Sequence, residues 1–164
     1  MTAKLIVFAL VSFFHDLFTA IWIGGLIVTF LAFMPAVKSV LGSNPQTKKV
    51  MSAFQKRQSV WVYISIGGLI LTGLLMANRS PEFEQLFGFG NPYSVALTVK
   101  HILVLVMIGI SLYRSLAFGR EKGPSSPAKE RLSARLLLIN VVLAFLVLLT
   151  SGFVSALARP LAGS

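Results

Sequence analysis

Read for polarity alone, the chain alternates long apolar runs with short basic ones. Residues 17–37, 58–78 and 136–158 contain no Lys, Arg, Asp or Glu. Each is long enough to cross a bilayer, which takes about 20 mostly apolar residues. A fourth run, 90–113, qualifies with Lys100 tolerated near one end. The pattern predicts four transmembrane helices at about 5–36, 59–78, 93–118 and 131–158, an all-α integral membrane four-helix bundle in a single domain spanning 1–164. Helix one is expected to end near Pro35, with Gly42-Ser43-Asn44-Pro45 as loop and the basic segment 46–58 leading into helix two. Gly123-Pro124-Ser125-Ser126-Pro127 breaks the chain before helix four. The first apolar run, interrupted only by His15 and Asp16, continues to Val37. A signal peptide has an apolar core of about 7–15 residues, so no cleaved leader is expected.

Composition sharpens this picture. Hydrophobic residues make up 55% of the 164 and charged ones only 12%, with mean hydropathy +0.82. A soluble domain carries about a quarter charged residues. The net charge of +10 would suit nucleic acid, but its distribution does not. Lys38, Lys48, Lys49, Lys56 and Arg57 fill the first loop, and Arg114, Arg120, Lys122, Lys129, Arg131 and Arg135 crowd the third against Glu121 and Glu130. The second loop sets Arg79 against Glu82 and Glu84, and the ends carry only Lys4 and Arg159. Basic residues mark the cytoplasmic side of short loops. Both termini and the second loop are therefore expected on the outer side of a plasma (inner) membrane, with the bilayer and not nucleic acid as partner.

Within the apolar runs, a few polar side chains recur at helical spacing. His15 shares a face with Ser12, Thr19 and Trp22. Asp16 falls on the next flank. On helix two, Trp61, Ser65, Gly68, Thr72, Met76 and Arg79 form one line; on helix four, Ser151, Ser155 and Arg159 form another. Ordinary Ser/Thr/Gly packing between helices accounts for such stripes. The histidines add something. His15 and His101 are the only two in the chain, and both lie toward the outer ends of their spans. Ionisable groups within spans point to function, and neutral imidazole suits haem iron or copper. The two match in depth if helix three runs on to Gly119, and differ by roughly two turns if Arg114 marks the membrane edge.

Other chemistries find little purchase. With no cysteine there are no disulfides, thiolate metal sites or iron–sulfur clusters. Neither HExxH nor a phosphate loop is present. Met34, Met76 and Met107 form no MxxM cluster, and Met76 alone shares the Arg79 line. One internal echo relates Ile-Trp-Ile-Gly-Gly-Leu-Ile-Val-Thr-Phe (21–30) to Ile-Ser-Ile-Gly-Gly-Leu-Ile-Leu-Thr-Gly (64–73), with seven identities in ten. Apolar helices draw on few residue types, and small residues let them approach closely. The echo is read as packing.

His15, the six residues to Trp22, and Ile23-Gly24-Gly25-Leu26 resemble the first helix of the copper-resistance protein D (CopD-like) membrane domain. The likeness continues with Arg57, Thr72-Gly73, and Asn91-Pro92-Tyr93 leading to Lys100, and covers about 14–114. More distantly, His15, Trp22 and Lys100 resemble the small membrane protoporphyrinogen oxidase (HemJ-like) family. That family places Pro-Arg soon after the Trp; here Pro35 comes late and Ala36 follows it. The resemblance implies a four-helix membrane bundle associated with copper or with haem b. The first reading is a haem b protein for electron transfer, with His15 and His101 as axial ligands. Trp22, Thr19, Ser65, Gly68 and Thr72 would line the ring, while Arg79, Lys100 and Arg159 would meet the propionates. Quinone or a redox protein would be its partner. The alternatives are copper transport, with the histidines and Met76 as an outer site; porphyrinogen oxidation; and a passive subunit of a homo-oligomer or larger membrane complex.

Overall fold

A computed structural model describes residues 3–77, 87–118 and 126–158. The elements among the described residues are all helical, and four helices are long and apolar enough to cross a membrane. We label them α1 (Ala3–Leu41), α2 (Pro45–Ala77), α3 (Pro92–Phe118) and α4 (Pro127–Leu157). The all-α membrane bundle expected from the hydrophobic pattern is the fold observed.

The helix starts differ from expectation, and the reason is local chemistry. Helix two begins at Pro45 rather than near residue 59, so the basic segment is helical. Asn44 caps it: its side-chain oxygen accepts from the backbone N–H of Gln46 (2.8 Å) and Thr47 (3.0 Å). Proline fits the first helical turn because its missing N–H would have no intrahelical partner there. The same device starts the other two. Asn91 accepts from Ser94 N–H at 2.7 Å before Pro92, and Ser126 accepts from Lys129 N–H at 3.4 Å before Pro127. Asn-Pro and Ser-Pro, read as breakers, are N-caps followed by first turns.

Pro35 does not end helix one. The helix passes through it to Leu41 and stops at Gly42, whose φ of 64° lies in the left-handed region that favours glycine. A proline inside a helix removes one hydrogen bond and crowds the carbonyl four residues back. Here a π turn, Thr29–Phe33, immediately precedes the Met34–Leu41 segment. Such a wide turn is where a helix absorbs this kind of interruption. A second π turn, Ala20–Gly24, carries Trp22 and Ile23 into the core.

The helices pair as two antiparallel hairpins, α1 with α2 and α3 with α4, joined mainly where the middle of α1 meets α4. Four contacts fix the α1–α2 register. From the N-terminal end of α1 onward they are His15 with Thr72, Phe18 with Gly68, Gly25 with Gln58, and stacked rings of Phe33 and Phe54. The core is Trp22, Ile23 and Leu26 with Val62, Met107, Leu137, Val141, Ala144 and Val147. Large apolar side chains such as Leu31, Leu71, Leu105 and Leu149 are exposed, as lipid-facing positions are. In lipid, helices are held by close packing and interhelical hydrogen bonds rather than by escape from water.

Candidate functional site

At Gly68, α2 receives the ring of Phe18 from α1. A Cβ there would land on the ring of Phe18. The next turn of α2 toward its C-terminus brings Thr72 against His15. The imidazole Nδ1 of His15 lies 2.9 Å from the hydroxyl of Thr72. That hydroxyl has one proton and uses it on its own helix, donating to Gly68 O at 2.7 Å. The network therefore assigns the His15 proton to Nδ1, which donates to Thr72, and leaves Nε2 with its lone pair. An imidazole oriented through one nitrogen is the usual state of a histidine that ligates metal through the other.

The surroundings are electrostatically mixed. Lys100 of α3 and Asp16 both act on His15 across space, and on each other, without a contact ion pair between them. Asp16 is exposed and lines a small hollow of about 330 Å³ against Ile23, Gly24 and Leu148, away from Thr72. It occupies the flank its position on the helical wheel gives it.

The remaining residues expected at a site have diverse fates. Thr19 spends its hydroxyl on the carbonyl of His15, 2.9 Å away. Trp22 and Ser65 are fully buried, and neither the indole N–H nor the hydroxyl has a hydrogen-bond partner among the described residues. Gly68 faces Phe18, so it offers no open wall to a flat ring. Trp61, placed on the same line as Ser65, is exposed instead. His101 packs its ring toward Phe87, with centroids 6.2 Å apart. Its neighbour Thr98 pins residue 88 to α3 by exchanging hydrogen bonds with both backbone groups of Gly88. Arg79 and Arg159 lie outside the described residues. Among the described residues no group of three or more His, Asp or Glu converges as a metal site would.

Sequence reasoning missed the opposite end. A cleft of about 780 Å³ lies among the basic ends of all four helices. Gln58 and Arg114 line it, and both carry a buried nitrogen with no hydrogen-bond partner among the described residues. Asn140 is also fully buried and donates to Ser111 across the α3–α4 pair at 2.9 Å. A polar side chain interrupting an apolar run was the available signal, and in Arg114 it was read only as a marker of depth.

Comparison with known families places one firm marker on the chain. Residues 52–156 match the family model described as copper resistance protein D. Neither a curated protein nor a solved structure matches. The matched region takes in part of α2, all of α3 and nearly all of α4, and so includes Thr72, Met76, Lys100 and His101.

Proposed function

Because the chain belongs to the copper resistance protein D family, we propose that it handles copper at the outer half of a plasma-membrane bundle, with His15 as the first ligand. The observation that carries this reading is the His15–Thr72 hydrogen bond, which fixes the imidazole and leaves Nε2 to bind. Met76 follows Thr72 by four residues on α2, so its thioether lies on the same face, one turn further out. One imidazole and one thioether make a soft, small ligand set, which suits Cu(I) as cargo. Lys100, nearby, disfavours a second positive charge and so favours weak, releasable binding over permanent residence.

A haem b centre with electron transfer has less support. Its supposed ring walls are occupied by protein: Gly68 meets Phe18, and Trp22 and Ser65 are packed out of reach. A single ion needs no such room.

The test is a titration of the purified protein, in mild detergent, with Cu(I) against a chromogenic chelator. Saturable binding is expected, lost in His15→Ala and weakened in Met76→Leu. A Soret band in the wild-type protein that disappears in His15→Ala would replace copper by haem and overturn the proposal.

A further inference from the structure

The basic-end cleft has no part in the copper reading and raises its own question. Arg114 brings a guanidinium into an apolar bundle, where a charge is costly unless an opposite charge meets it. It is largely buried, and its Nε has no partner among the described residues. The acid among the cleft's lining residues is Glu130, and Lys48 holds it in an ion pair of 2.6 Å. Lys38, Lys49 and Lys56 add further positive charge around the same hollow. Gln58 contributes a second buried nitrogen with no partner. The cleft therefore presents positive charge in excess of the acid that lines it, with two buried nitrogens that have no partner among the described residues.

Shape narrows the occupant. About 780 Å³ is the size of a site for a molecule of many atoms, far more than a bare phosphate fills. Leu26, Phe33, Val62 and Leu137 supply an apolar wall beside the charged groups. The cleft also opens at the level of the basic loops, which the charge asymmetry assigns to the cytoplasmic face, where anionic lipids concentrate. We propose that this cleft binds an anionic phospholipid. Its phosphate sits on Arg114 and Gln58, and an acyl chain lies along Leu26 and Val62. Guanidinium and amide N–H groups are suitable donors for phosphate oxygens.

The experiment uses the full chain in detergent. Native mass spectrometry and thermal unfolding follow additions of phosphatidylglycerol, phosphatidylcholine or inorganic phosphate. Phosphatidylglycerol should bind and raise the unfolding temperature; the other two should not. Arg114→Gln should weaken that binding about tenfold or more, as the loss of a charged hydrogen bond implies. The surface pair Lys49→Gln/Lys56→Gln, which leaves the buried guanidinium in place, should weaken it severalfold and reduce its salt dependence. Arg131→Gln, exposed and away from the cleft, should change nothing. Equal binding of phosphatidylcholine, a full effect from inorganic phosphate alone, or undiminished binding in both cleft variants would each overturn the assignment.

Discussion

The hydroxyl of Thr72 has a single proton, and where that proton goes decides what His15 offers to a ligand. Donated to Gly68 O, it turns the oxygen into an acceptor and gives the His15 imidazole a defined tautomer. Thr72→Val keeps the shape and removes the acceptor. Copper affinity should fall about 10–100-fold, the usual cost of losing a partner that orients a metal-binding histidine. Thr72→Ser should retain most of it, measured in the same chelator competition. Gly68 belongs to the same argument. Gly68→Ala should destabilise the bundle by about 1–3 kcal/mol, the range for forcing an extra carbon into a packed interface, because Phe18 already occupies that place. Unfolding in detergent would show it, and Phe18→Leu in the same chain should recover part of the loss. That Ser65 and Thr72 share an inward line was legible from spacing. That His15 meets Thr72 was not, because one helix's periodicity carries no information about its register against another. Trp61 failed for the same reason: it keeps the angle of the line and is nonetheless exposed, because the line does not say which of its turns a neighbouring helix covers.

At the scale of elements, hydropathy located the four helices but not their beginnings. Hydropathy records what lipid tolerates; a helix begins where backbone N–H groups find an acceptor. Asn44, Asn91 and Ser126 supply that acceptor, each followed by proline. Asn44→Ala should therefore cost about 0.5–2 kcal/mol and fray the first turns of α2. Hydrogen exchange at Gln46 and Thr47 would report it. If those amides stay as protected as before, the basic segment is held by packing rather than by its cap. The decapeptide echo also gains content at this scale. Thr29 donates to Gly25 O as Thr72 donates to Gly68 O, and the two copies run in opposite directions across the bundle. The sequence offset relating the copies also relates His15 to Gln58. An imidazole thus stands at one end of the pair and an amide at the corresponding point of the other.

For the whole molecule, the uneven charge of the loops anticipated a basic end, and the structure gathers Lys38, Lys48, Lys49, Lys56 and Arg114 there. The cleft itself was not legible, since its walls come from four helices and no single segment describes it. If that end is cytoplasmic, cysteines placed at Ser43 and Gly90 should react differently. A membrane-impermeant thiol reagent on intact cells should label Gly90→Cys and spare Ser43→Cys. The native chain has no cysteine, so the background is clean. The reverse pattern would invert the bundle and place His15 toward the cytoplasm.

Between the two ends lies a tightly packed layer. Trp22, Met107 and Ala144 are packed together with almost no exposure, and Ser65, fully buried, stands beside Trp22 in the α1–α2 register. In electrical terms this layer is a dielectric. Among the described residues its buried core carries no charged group, so a charge crossing the bundle would meet a low-dielectric barrier there. On the copper reading, an ion at His15 would face this barrier, with the Trp22 indole in it, on any path through the bundle. The indole thus gives the bundle the character of an insulator at rest.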